Sequence, residues 1–109
     1  MGDRYAKSRA LLERARQSLA DAGGPVETIV CDVADQGQVE RMIAEVTRRF
    51  GGVDVLVNNA GAIPGGHLWD VDDAKWRAGW ELKVFGYIHM TRVFYKLMAA
   101  RGGGVILNN

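Results

Sequence analysis

Cysteine is nearly absent from this sequence: Cys31 stands alone, so no disulfide can close within the chain. Proline is scarce, at two residues, and no apolar run reaches the length of a bilayer-spanning helix. Neither sign of charge dominates, since 14 Lys and Arg face 13 Asp and Glu and leave a formal net charge of +1. These absences exclude a disulfide-stapled scaffold, a membrane span and the clustered basic stripe of a nucleic-acid binder. Arg48-Arg49 is the densest basic spot and reads as the solvated end of a helix. No His, Cys or carboxylate cluster has metal-ligand spacing, so no metal site is expected. A reducing, cytoplasmic setting is the expectation for the lone thiol, and Cys31 itself reads as a small buried hydrophobe.

What is present is the composition of a globular domain, 48% hydrophobic and 25% charged, in 109 residues that allow one domain at most. Tyr5, Ser8, Leu11, Leu12, Ala15 and Leu19 recur at helical spacing, which predicts an amphipathic helix over about 5–22, closed by Gly23-Gly24. Val26 to Cys31 predicts a strand. Asp35 then caps a helix with Gln38 in the capping-box position, and Val39, Met42, Ile43, Val46 and Phe50 form its apolar face. Gly51-Gly52 ends it. Val53 to Asn58 is a short apolar run of the kind buried on both faces of a parallel sheet.

A loop with Pro64, Gly65 and Gly66 leads to a long helix from about Asp73 to Ala100. Its predicted apolar face runs through Trp76, Trp80, Val84, Tyr87, Thr91, Phe94 and Met98, more readily core or subunit interface than a ligand platform. Gly102-Gly103-Gly104 breaks the helix, and Val105 to Asn108 is the last strand. The order α-β-α-β-α-β predicts an α/β fold with a parallel sheet and right-handed crossovers.

The most specific segment is Gly52-Val53-Asp54-Val55-Leu56-Val57-Asn58-Asn59-Ala60-Gly61, a strand ending in two amides and two of the smallest residues. One reading is a plain strand-end turn, its amides satisfying loose backbone groups. The other is a ligand site at the carboxyl end of a strand, where Ala60 and Gly61 let a flat molecule lie against the main chain.

The segment resembles the NNAG motif of the short-chain dehydrogenase/reductase family. The likeness continues through Cys31-Asp32-Val33 and Gly51 to Asp54 upstream, and through Trp76, Gly86, Met98 and Gly103 to Ile106 downstream. The resemblance implies an internal fragment of such a protein: one partial NAD(P)-binding, Rossmann-like domain over 1–109, with strands like numbers three, four and five of a doubly wound parallel sheet. It implies an NAD- or NADP-dependent oxidoreductase moving hydride between the cofactor and a small alcohol or carbonyl substrate. By position, the Asp32 carboxylate would accept a hydrogen bond from the adenine amino group while Val33 packs beside the ring. Asn59, Ala60 and Gly61 would offer backbone to the cofactor ribose, with Asn58 steadying the sheet. A cap for the nearby helix is the plainer role for Asp32, although Asp35 is better placed for it.

Other parts of that family's pattern are missing from these residues. A dinucleotide's pyrophosphate needs a Gly-rich turn between a strand and a helix. Gly102 to Gly104 precede a strand instead, and Gly65-Gly66 are wrongly spaced. The family's Ser and Tyr-x-x-x-Lys are also missing: Tyr5, Tyr87 and Tyr95 are followed four positions on by Arg9, Thr91 and Ala99. No catalytic residue is therefore assigned, and the chain alone is expected to be inactive. Lys83 occupies the slot where many members carry an Asn, predicted on the face of Trp76, Tyr87 and Phe94. It could hold a water or shuttle a proton, or simply snorkel to solvent.

His67 and His89 read as surface or packed residues. In the doubly wound order, two strands would separate the third from the fourth. The strand near Val26 therefore lacks a neighbour, and the isolated chain is expected to be marginally stable or aggregation-prone. The alternative function is a non-catalytic module docking on a full-length relative through the aromatic long helix, the surface that would also serve a homo-oligomer.

Overall fold

The structure is a computed structural model that describes residues 5–61 and 65–109. Pro64, assigned to the loop above, lies outside the described residues. The chain forms two compact units, Met1–Cys31 and Asp32–Asn109.

In the first unit the predicted helix is present as α1 (Ala6–Ala20). Its end is set by Gly23 and Gly24, both at φ 95°, a conformation that side chains with a Cβ rarely adopt. None of its residues is buried, and Leu11 and Leu19 stay exposed. The expected strand Val26–Cys31 does not form: among the described residues the sheet has two strands, and neither is this one. A strand exists through its ladder partner, and the apolar run finds none.

The second unit holds α2 (Gln36–Phe50), β1 (Val55–Asn58), α3 (Asp73–Trp80), a π-helical turn (Glu81–Phe85), α4 (Gly86–Ala100) and β2 (Val105–Asn108). The Asp35 side chain caps α2 by accepting the Gln38 N–H at 3.1 Å, and that bond holds its carboxyl below the usual carboxylate range. The expected capping box is not closed by its usual second bond. The Gln38 amide accepts the Asp32 N–H at 2.9 Å, because the Asp35 N–H is already given to the Asp32 carbonyl. Gly51, at φ 78°, ends α2 with its N–H on the Thr47 carbonyl. Asp72 caps α3 through the Lys75 N–H.

β1 and β2 pair in parallel, Val55 against Val105 through Asn58 against Asn108. Leu56 and Asn58 are buried on one face, while Val55 and Val57 on the other are more than half exposed. Burial on both faces, expected from the apolar run, is therefore corrected to one. The strand packs against α4, and no described element of this unit buries its opposite face. The core of the unit is Val39, Leu56, Val71, Met90, Phe94 and Met98.

The predicted stripe on the long helix also needs correction. Phe94 and Met98 are buried with Gly86 and Met90, but Trp76 and Trp80 are exposed. The π-helical turn explains the break: i→i+5 bonding inserts residues out of step with the α period, so the face before it does not continue after it. No helix among the described residues is long and apolar enough to cross a membrane.

Candidate functional site

The site is built at the carboxyl end of β1. Asn58 points inward, 4% exposed, and its amide donates to Asn108 Oδ1 at 2.8 Å and Thr91 Oγ1 at 3.2 Å. A buried amide with both partners made ties β1, β2 and α4 into one unit. Beyond it, Asn109 gives its N–H to the Asn58 carbonyl at 3.0 Å and its side-chain amide to Asn59 Oδ1 at 2.5 Å. The Tyr87 hydroxyl donates to the Asn109 carbonyl at 3.1 Å. These clamps hold the strand end while Asn59, Ala60 and Gly61 stay exposed.

Asp32 and Val33 lie before α2. Asp32 Oδ1 accepts the Ala34 N–H at 3.0 Å, which sets the carboxylate in a tight turn on the surface. Val33 is half-buried against Gly86: a Cβ on that glycine would stand 3.1 Å from Val33 Cγ2. Three residues earlier on the same helical run, Lys83 reaches the other end of the site. A Cβ on Gly61 would lie 3.8 Å from Lys83 Cδ and 4.0 Å from its Nζ. The segment from Lys83 to Gly86 thus meets both Val33 and Gly61.

Lys83 does not share a face with Trp76, contrary to the expectation from α-helical spacing. Lys83 lines a cavity of about 650 Å³ with Tyr87 and Thr91, whereas Trp76 lines another with Trp80 and Phe85. The π-helical turn between them shifts the phase. The Lys83 ammonium lies 5.9 Å from the centre of the Tyr87 ring, a cation–π distance. Phe94, the third residue placed on that face, is instead part of the core.

Two partners of this region had no separate signal in the sequence. Gln38 looked like a cap residue, yet its amide fixes the Asp32 main chain. Asn109 looked like a strand end, yet it clamps Asn58 and Asn59. Gly86 did carry a signal, as a glycine inside an otherwise apolar helix, where a close packing contact is the usual reason. The histidines are apart from the site. His67 stacks on Trp69 at 4.9 Å and 11°, and His89 Nε2 is buried with no hydrogen-bond partner among the described residues. Cys31 is half-buried, and no group of three His, Cys, Asp or Glu among the described residues could hold a metal ion.

The arrangement suits one half of a flat, polar ligand. A surface carboxylate beside an apolar Val offers an acceptor and a wall for a heterocycle carrying an amino group. The exposed backbone at Ala60 and Gly61 admits close approach of hydroxyl-bearing sugar.

Comparison with known proteins points the same way. The profile of the short chain dehydrogenase family matches residues 4–109. Sorbitol dehydrogenase of Cereibacter sphaeroides is 32% identical over 108 residues, covering 98% of this chain and 42% of that protein. Among solved structures, L-sorbose reductase from Gluconobacter frateurii, complexed with NADPH and L-sorbose, superposes with a TM-score of 0.80 at 37% identity, covering 90% of this chain and 38% of that one. NAD+-bound xylitol dehydrogenase superposes with a TM-score of 0.87 at 29% identity, over 92% and 39%. The chain spans about two fifths of the length of these relatives.

Proposed function

We propose, from the premise that this chain belongs to the short-chain dehydrogenase family, that it supplies the adenosine-side half of the nicotinamide-dinucleotide site of an oxidoreductase acting on a small alcohol or carbonyl compound. The observation that supports this reading is that the helix segment from Lys83 to Gly86 meets Val33 at one end and Gly61 at the other. Asp32 Oδ1 is held by the Ala34 N–H, so the carboxylate faces outward as an acceptor for an exocyclic amino group. Val33 provides the apolar wall, and the backbone of Asn59, Ala60 and Gly61 receives the ribose. A nicotinamide dinucleotide bound there supplies or accepts the hydride. Relatives solved with NAD+ or with NADPH support either cofactor.

These residues bind and orient; they do not complete the chemistry. None of Tyr5, Tyr87 and Tyr95 has a Lys four positions later, and no turn among the described residues cradles a pyrophosphate. On its own the 109-residue chain is expected to turn over no substrate and to bind NADH or NADPH too weakly to enhance their fluorescence. The test is the coding DNA on either side. A Gly-rich turn upstream and a Ser followed by Tyr-x-x-x-Lys downstream support the reading. In-frame stops on both sides, with a stable product, overturn it.

A second reading has its own observation. Trp80 and Phe85, 55% and 54% exposed, line a cavity with Trp76 on the outer side of the helix. That aromatic surface suits a non-catalytic module docking on a full-length relative, or a homo-oligomer contact. Co-purification with such a relative supports it, and no association at micromolar concentration counts against it.

A further inference from the structure

Lys83 is a charged group beside Gly61 that the dinucleotide reading leaves unused. It sits in the π-helical turn, half-buried, and π-helical insertions recur at functional positions. Among the described residues no carboxylate pairs with it. Ion pairs among the described residues include Arg16 with Glu13, Arg48 and Arg49 with Glu45, and Arg101 with Asp54. Nor does its ammonium donate a hydrogen bond to any described residue; its recorded neighbours are the Tyr87 ring and the space above Gly61. The cavity it opens on is walled by Val84, Tyr87, Thr91, Arg92, Asn108 and Asn109, with no Asp or Glu side chain among them. The Lys83 ammonium opens on the cavity with the Tyr87 ring on one side, and its donors are taken by no described side chain.

We propose that Lys83 forms an oxyanion subsite at the carboxyl end of β1, which takes a carboxylate or phosphate oxygen of the ligand beside the Gly61 backbone. Gly61 leaves open the space in front of the ammonium, since even a Cβ there would only reach ordinary contact distance. An anionic group in that space gains a charge-assisted hydrogen bond from Nζ and meets no Asp or Glu side chain of the cavity wall. The proposal deepens the oxidoreductase reading and rests on it for the substrate's class: an alcohol or carbonyl compound that carries an anionic group. A snorkelling Lys would instead leave the strand end indifferent to anions.

The test is a titration of the full chain, as 15N-labelled protein in a stabilising osmolyte that populates its folded state, with inorganic phosphate and separately with acetate at constant ionic strength. Wild type, Lys83→Met and Lys83→Arg are compared. Saturable shifts confined to Gly61 and residues 83–87 in wild type and Lys83→Arg are expected, with binding about tenfold weaker in Lys83→Met. A response to phosphate alone assigns a phosphate-bearing ligand, and a response to acetate as well assigns a carboxylate. Equal responses in wild type and Lys83→Met, or no localised response in wild type, overturn the proposal. The dinucleotide reading is judged on the flanking DNA, so an anion response alongside in-frame stops removes that reading and leaves the subsite standing.

Discussion

Gly104 marks where α4, the turn and β2 crowd together, and replacing it with alanine tests that packing directly. A Cβ at this position would stand 2.7 Å from Met98 Sδ, 2.8 Å from Met98 Cγ and 3.0 Å from the Asp54 carbonyl oxygen. Met98 is 3% exposed, so its thioether cannot swing into solvent. The Asp54 oxygen is equally constrained, since it accepts the Val105 N–H at 3.0 Å where the β1–β2 ladder begins. Gly104 does not have positive φ, so the cost is one of space rather than backbone strain. Overpacking of this kind costs about 1–3 kcal/mol. Restricting the unfolded chain by Gly→Ala returns about 0.4–1 kcal/mol. The clash wins, and Gly104→Ala should destabilise the chain by about 1–2 kcal/mol.

Urea unfolding followed by far-UV circular dichroism measures this, with a stabilising osmolyte present to populate the native baseline. Met98→Ala provides the control. It is itself destabilising, by about 2–5 kcal/mol, but it empties the space that the new methyl needs. In that background Gly104→Ala should cost less by about 1 kcal/mol, a coupling expected only of residues in contact. A Gly104→Ala midpoint at or above that of wild type would refute the reasoning. So would an identical loss in the Met98→Ala background.

Other substitutions read different parts of the structure. Asn58→Leu strips Asn108 Oδ1 and Thr91 Oγ1 of their shared donor and should cost about 1–3 kcal/mol in the same assay; an unchanged midpoint would show that the buried amide is dispensable. Gly86→Val drives a branched side chain into Val33, and amide shifts should centre on residues 32–34; a spectrum unchanged there contradicts the contact. Hydrogen bonds from Arg48 and then Arg49 lower Glu45 from its usual 4.5 to about 2. A depressed carboxylate stabilises fully above its unfolded value and loses that contribution as pH falls through the folded one. The stability difference between wild type and Glu45→Gln should therefore be largest above about pH 4.5 and shrink as pH falls from there towards about 2, and a difference that stays constant through that range would contradict the assignment. The chain by itself should be marginally stable or aggregate, given the exposed Val55, Val57, Val105 and Leu107; a cooperative melt of a soluble monomer with native amide dispersion would overturn that.

Elements with local punctuation were legible in the sequence. Asp35 before α2, Gly51 after it, and the glycines before β2 act within a few residues of the boundary they set. β2 forms over the predicted residues, and Val55 to Asn58 forms within the longer predicted run. Two features escaped because their causes are not local. Val26 to Cys31 has the composition of a strand, but a strand also requires a partner ladder, which none of the described residues provides. Nothing in the residues Glu81 to Phe85 announces a change from i→i+4 to i→i+5 bonding. A face drawn on a uniform α period therefore carried Trp76 and Trp80 into a core they do not enter.

The same π-helical turn decides how the candidate site should be read. Motif spacing located Asp32-Val33 and Asn59 to Gly61 as two separate pieces, some 27 positions apart at Asp32 and Asn59. It had no means of relating them to a helix that begins at Asp73. The connection is made where the helix departs from its regular form: Gly86 removes the side chain that would hold Val33 away, and Lys83 extends over Gly61. Lys83 lies within the π-helical turn and Gly86 at the start of α4, so one short segment touches both pieces while Met90, Phe94 and Met98 are buried further along α4. The helix backbone at Lys83 is therefore carried by the same element that packs against the sheet. The anion subsite proposed at Lys83 depends on its charge more than on its length, so Lys83→Arg should keep it and Lys83→Met should not.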